Sequence, residues 1–258
     1  MTADPNTTTK WPPDVLTLAI DVGGSGLKGS VLDSNGQMIA ERVRIETPYP
    51  CPPPLLVEKL SEIQAQLPKA NRASVGFPGL VRSGKVLNIP SLSRLEYGGP
   101  RDDDMARAWH GYDLATALAD AFGVPVKVAN DADVQGCAVI DGHGFEFVMT
   151  LGTGCGTALF HEGRLIPHME LSHAPSGHGG DFDDYIGNTA RKSVGKKKWR
   201  KRVNKAVEIF DNFLFFDKIY IGGGNAKHLV PADLDSRAVI VPNTAGILGG
   251  IRIWEMDY

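Results

Sequence analysis

The stretch 16-LTLAIDVGGSGLKGSVLDSNGQMI-39 is written a second time, in other letters, at 147-FVMTLGTGCGTALFHEGRLIP-167. Each copy is an apolar strand, a glycine-rich turn carrying a hydroxyl residue, a second apolar strand, a turn and a third strand. Two copies about 130 residues apart predict one α/β topology used twice, giving two similar lobes. A cleft between two such lobes is the natural place for a ligand.

The intervening chain completes each copy. After an antiparallel meander over 15–47 and the proline-rich 48-PYPCPPP-54, the segment 55-LLVEKLSEIQAQL-67 has Leu56, Leu60, Ile63 and Leu67 on one helical face. Then come a short buried strand at 73–79, a helix at 112–123 closed by glycine, a strand at 125–131 and a helix at 132–140. Beyond 167 the pattern predicts a polar loop to about 181, helical segments to 216 and a strand running into 222-GGGN-225 as that turn opens a helix. A strand at 238–242 and a helix at 244–254 close the chain. The expected division is a loose tail over 1–14, a smaller lobe over 15–128 completed by the helix at 244–258, and a larger lobe over 129–243.

At 258 residues the chain is long enough to bury a core without staples, and its three cysteines, Cys51, Cys137 and Cys155, are too few and too scattered for a disulfide framework. No apolar run approaches the roughly 20 residues that span a bilayer, and the first residues lack the basic and apolar regions of an export signal. These features predict a soluble cytoplasmic protein with no membrane partner.

In 21-DVGGSGLKG-29, glycines let backbone N–H groups approach an anion, and the hydroxyl of Ser25 can donate to phosphate. Gly23, Gly24, Gly26 and Lys28 complete this candidate phosphate site, and Asp21 at the strand end can hold a hydrated Mg²⁺. Its echo contributes Gly152, Thr153 and Gly154, and 222-GGGN-225 adds Gly223 and Gly224. In 130-NDAD-133, Asp131 beside Asn130 suits a general base for an alcohol, and equally suits the N-cap of the following helix. The segment 168–185 supplies Glu170, His173, His178, Asp181, Asp183 and Asp184, the residue types of a polyol site or, without regular zinc spacing, of a metal site.

Assembled in this order, 21-DVGGSGLKG-29, 76-GFPGLV-81, 129-ANDAD-133, 150-TLGTGCGTA-158, 170-ELSH-173, 221-IGGGN-225 and 243-NTAGILGG-250 resemble the ROK family of sugar kinases, and within it the bacterial polyphosphate glucokinases most. The resemblance implies a two-lobed actin-like, RNase H-like α/β fold, a homodimer, and phosphoryl transfer to the 6-hydroxyl of glucose with Mg²⁺. It matches Asp131 to the catalytic base and Asn130, Glu170 and His173 to sugar contacts, with Gly79 in the adjoining loop. Asp183 falls where the family usually has a glutamate, and Ser91 where it usually has an asparagine. The family's zinc-binding cysteines are missing from 174-APSGHGGDFD-183, so zinc is not expected.

The donor is read from charge. Nine of the 27 Lys and Arg residues lie within 191-RKSVGKKKWRKRVNK-205, so the formal net charge of −3 leaves the rest of the chain near −12. Trp199, Val203, Val207, Phe210 and Leu214 recur at helical spacing, which sends the cations to the solvent side, with Lys196 to Lys198 expected on a loop after Gly195. Lys192, Lys196, Lys197, Lys198, Arg200, Lys201 and Arg202 then suit a track for inorganic polyphosphate, whose repeated charge releases counterions as nucleic acid does. The alternatives are an ATP-dependent glucokinase and a non-catalytic, sugar-responsive binding protein. A nucleic-acid partner is not expected.

Overall fold

The structure, a computed structural model, describes residues 14–242 and 245–256. The expected tail, apart from Asp14, and positions 243 and 244 of the closing motif lie outside the described residues. The chain divides into two compact units at Asp131/Ala132, with Ile247–Glu255 returning to the first.

The first unit opens with β1 (Thr17–Gly23), β2 (Gly26–Leu32) and β3 (Val43–Ile45), followed by α1 (Pro53–Ala65), β4 (Arg72–Phe77), β5 (Leu80–Arg82), β6 (Lys85–Asn88), α2 (Asp103–Trp109), α3 (Leu114–Phe122) and β7 (Val126–Asn130). Its five-stranded sheet has the order β3-β2-β1-β4-β7. The first three strands pair antiparallel and the last two join in parallel, Asp21 standing opposite both Lys28 and Gly76. Leu56, Leu60 and Ile63 of α1 are buried in its core, which also holds Phe77, Trp109 and Leu118. Two elements of this unit have no sequence counterpart above. The β5–β6 hairpin turns through Ser83 and Gly84, both at positive φ, and α2 starts where the Asp102 carboxylate accepts from the Met105 N–H at 2.8 Å.

Helix α4 (Asp131–Cys137) leads into the second unit, built on β8 (Phe145–Leu151), β9 (Cys155–His161) and β10 (Arg164–Leu165), then α5 (Phe182–Ile186), α6 (Asn188–Leu214), β11 (Lys218–Gly222), β12 (Ala238–Ile240) and α7 (Ala245–Arg252). Its sheet order, β10-β9-β8-β11-β12, reproduces the first: an antiparallel meander with two parallel strands added beyond its founding strand. The repeat read in the sequence is therefore a repeat of topology.

Two local expectations are corrected. Lys196 to Lys198 are not on a loop, because α6 runs from Asn188 to Leu214 and Gly195 (φ 75°, ψ 158°) only kinks it. Glycine supplies the one left-handed residue the kink needs, and helix resumes at once. The segment after 222-GGGN-225 is one 3₁₀ turn, Ala226–His228, in place of a helix. Among the described residues no helix is long and apolar enough to cross a membrane.

Candidate active site

In the first unit the β1–β2 turn is tied from behind. The hydroxyls of Thr47 and Tyr49 donate to the carbonyls of Gly23 and Gly24 at 2.6 and 2.8 Å. Ser25 stays exposed at the tip. Lys28 Nζ lies 3.1 Å from Asp21 Oδ2, and a Cβ at Gly26 would lie 3.0 Å from Arg44 Nε, so two cations flank the turn. An exposed hydroxyl between two cations on a glycine turn suits an anion.

A second cluster forms beside it. The Asn130 side chain, buried at the end of β7, donates to the Gly79 carbonyl at 3.1 Å, which brings together two residues 51 positions apart. Asp131 follows as the first residue of α4. Ser91 is held against Gly24 and Tyr49, whose hydroxyl also reaches the Ser91 carbonyl at 3.3 Å. The Ser91 hydroxyl is buried and has no hydrogen-bond partner among the described residues.

Asp21 tests the fit of Mg²⁺. The described residues contain no group of three or more His, Cys, Asp or Glu that could hold a metal ion. Mg²⁺ keeps most of its waters and uses one or two carboxylates plus substrate phosphate oxygens, and Asp21, beside the β1–β2 turn and paired with Lys28, is a carboxylate of the kind that mode uses.

In the second unit the β8–β9 turn carries Gly152, Thr153 and Gly154. Asp183 Oδ1 accepts from the Cys155 N–H at 2.7 Å, and a Cβ at Gly154 would lie 2.6 Å from the same oxygen, so only glycine lets the carboxylate come this close. His173 Nε2 lies 4.0 Å from Asp183 Oδ2. Burial raises the Asp183 carboxyl above the usual range, and Asp181 and Glu170 push the same way against the Cys155 N–H and His173. Burial would raise Glu170 too, but His168 and His173 hold it below its ordinary value. Glu170, His173 and Asp183 therefore share one neighbourhood, as a hydroxyl-binding set requires.

The 222–225 turn packs on the same loop. Asn225 donates its N–H to the Leu151 carbonyl at 2.9 Å and its side-chain amide to the Gly152 carbonyl at 2.8 Å. Gly223, at φ 84°, approaches the Leu151 backbone where no Cβ would fit. Helix α6 also begins here, because the Asn188 N–H donates to the Thr153 carbonyl at 3.0 Å.

The basic run divides by task. Arg200 donates to the His228 carbonyl at 2.7 Å, Arg202 donates to the Tyr185 carbonyl while lying over its ring, and Lys205 pairs with Glu208 at 2.8 Å. Lys192, Lys196, Lys197, Lys198 and Lys201 are exposed, and none has a carboxylate within ion-pair distance among the described residues. Lys227, absent from the sequence reading, adds to this charge, and His228 lies among these cations. Burial lowers the His228 pKa, as do Arg191, Lys196, Lys227 and Arg200 around it.

Residues 17–180 match the family model described as "ROK family". The chain belongs to the ROK family. It is 31% identical over 251 residues to a polyphosphate glucokinase of Mycobacterium tuberculosis, covering 89% of this chain and 88% of that one. A polyphosphate glucokinase of Mycobacterium leprae is 28% identical, covering 92% and 74%. Among solved structures, an inorganic polyphosphate/ATP-glucomannokinase from Arthrobacter sp. strain KM superposes with a TM-score of 0.76 at 28% identity, covering 93% of this chain and 98% of that one. A ROK family glucokinase from Streptomyces griseus, at 17% identity and a TM-score of 0.71 over 92% and 98% of the chains, shares the fold. That fold is the actin-like α/β architecture of the ROK sugar kinases, as the repeat and the motifs implied.

Sequence reasoning missed Thr47 and Tyr49, which brace the first turn, and Asn225, which braces the second. It also missed Asp133 and His168. His168 stands two residues before Glu170, and that spacing was its only signal.

Proposed function

We propose that this protein is a cytoplasmic ROK kinase that transfers a phosphoryl group from inorganic polyphosphate to the 6-hydroxyl of glucose, with ATP the competing donor. The observation that carries the donor reading is the start of α6 at the Thr153 carbonyl. A helix rises about 1.5 Å per residue, so Lys192 stands roughly one turn, or 6 Å, from the 152–154 loop. The free lysines thus begin at a phosphate-gripping turn and run away from it. A short nucleotide triphosphate needs no such extension, whereas a polymer of phosphates does.

In this reading Asp131 accepts the proton of the 6-hydroxyl as the phosphoryl group departs from the donor. The transition state is loose and charge-rich, so the chain's work is positioning and neutralisation. Gly23 to Gly26 with Lys28, and Gly152 to Gly154 with Gly223 and Gly224, are the phosphate-binding turns. Asn130, Gly79 and Ser91 in the first unit, and Glu170, His173 and Asp183 in the second, are the hydroxyl-binding groups. Mg²⁺ held by Asp21 would neutralise charge on the donor phosphates. The homodimer implied by the family is the working assembly, which sedimentation velocity decides.

Purified protein is mixed with glucose, Mg²⁺ and either long-chain polyphosphate or ATP, and glucose 6-phosphate is measured. Higher kcat/KM with polyphosphate supports the proposal. Turnover with ATP alone replaces it with the ATP-dependent reading, and no product with either donor returns the chain to a sugar-binding protein. The acceptor site has its own test. Because the Ser91 hydroxyl has no internal partner, Ser91→Ala should leave thermal stability unchanged while glucose KM rises about two- to tenfold, the worth of one neutral hydrogen bond. An unchanged glucose KM removes Ser91 from the site.

A further inference from the structure

Two buried polar residues have no part in the chemistry above. Asp133, the third residue of α4, is 3% exposed, and His168, on the segment after β10, is 5% exposed. His168 Nδ1 lies 2.9 Å from Asp133 Oδ1, and its Nε2 lies 3.5 Å from Glu170 Oε1. The first is a charge-assisted hydrogen bond, and the second, longer than an ordinary hydrogen bond, is an ion-pair contact. One imidazole therefore stands between two carboxylates, one anchored in a helix and the other assigned to the sugar.

Ionised carboxylates accept and do not donate, while a neutral imidazole donates from one nitrogen only. Serving both partners requires the imidazolium. Burial alone disfavours that charge, but the hydrogen bonds and negative charges of Asp133 and Glu170 prevail and raise the His168 pKa to about 10. The Glu170 side chain keeps 23% of its surface exposed, where a ligand can reach it. Glu170 would otherwise sit buried beside Asp183 with its charge opposed, and the imidazolium keeps it ionised and accepting.

We propose that His168, clamped by Asp133, is a positioning residue for the acceptor: it fixes the rotamer and charge of Glu170, so that glucose binding depends on a side chain that does not touch glucose. The inference rests on the reading of Glu170 as a sugar contact. A glutamate loses much rotamer freedom when it is fixed, and fixing it before the sugar arrives takes that loss out of the binding step. Because Asp133 and Asp131 share α4, the helix that starts with the base also anchors the acceptor carboxylate.

Steady-state kinetics of His168→Asn, Glu170→Gln and the double variant test this. His168→Asn should raise glucose KM roughly tenfold or more, as for losing a hydrogen bond to a charged group, with kcat and polyphosphate KM changed by less than about threefold. In the Glu170→Gln background the same substitution should add less than about twofold, because its route to the sugar is already gone. A glucose KM within about twofold of the parent in His168→Asn, or a full additive effect in the double variant, overturns the proposal. If Glu170→Gln alone leaves glucose KM unchanged, the sugar-contact reading is what failed, and the positioning role falls with it. A measurement on the unsubstituted protein does not depend on any variant folding. The ¹⁵N signals of the His168 ring should report both nitrogens protonated at about pH 8, well above the ordinary histidine value, and a neutral ring there overturns the proposal.

Discussion

Asp131→Asn should lower kcat by about 10² to 10⁴, the usual contribution of a positioned general base, while the KM values for glucose and donor stay within a few-fold. The substitution is close to isosteric. Asn130 remains buried with its amide on the Gly79 carbonyl, so the end of β7 and the start of α4 keep their places. Asparagine is itself a good residue at a helix start, so thermal stability should hold. What disappears is a proton acceptor. The sequence left two readings of Asp131 open, base and helix cap, and this variant separates them: a cap predicts intact turnover, whereas a base predicts a near-dead enzyme that still binds both substrates. If kcat stays within a few-fold, Asp131 is not the base.

The parts of the fold that were legible are those written in short-range pattern. Alternating apolar strands around Asp21-Val22-Gly23-Gly24 and Thr150-Leu151-Gly152 announce two meanders, and the structure gives both the same strand order. The helical face from Trp199 to Phe210 was equally plain, and those residues are buried in the second unit's core. What failed was the reading of Gly195 as a boundary. A glycine's φ is not encoded in its neighbours, and at +75° it bends α6 without ending it. Residues 80–109 gave no clear period, so the β5–β6 hairpin and α2 stayed invisible, although three aspartates at 102–104 are a helix-start signal.

Site chemistry was legible by type and not by pairing. Asn130, Asp131, Glu170, His173 and Asp183 stood out because such groups, next to glycines at strand ends, suit hydroxyls and phosphates. That Asn130 would be fastened to Gly79, or Asp133 to His168 across 35 positions, depends on which strands become neighbours. The basic run shows the same limit. Its cations look alike in sequence, yet Arg200 and Arg202 hold α6 to carbonyls while five lysines are left to solvent.

Those lysines give the second large effect. Replacing Lys196, Lys197 and Lys198 together with glutamine should raise the KM for long polyphosphate about 50-fold near 0.15 M salt. The figure follows from a slope of about 0.7 in log affinity against log salt per phosphate contact, taken over three contacts from a 1 M reference. The salt slope itself should fall by about two. Glucose KM should not move, since Glu170, His173 and Asp183 lie on other elements. A tripolyphosphate donor, too short to follow α6 past its first turns, should lose much less than the long chain does. Lys205→Gln is the internal control: that lysine is already paired with Glu208, so its loss should change polyphosphate KM little. Helix stability argues in the same direction, because like charges three and four residues apart repel, and neutralising three of them should leave α6 no less stable. Five lysines that oppose their own helix, follow a glycine turn and have no carboxylate within ion-pair distance among the described residues are what an anion arriving from outside would use. If the triple variant keeps its polyphosphate KM, the five lysines are only a solvated helix face, and donor choice rests with the glycine turns.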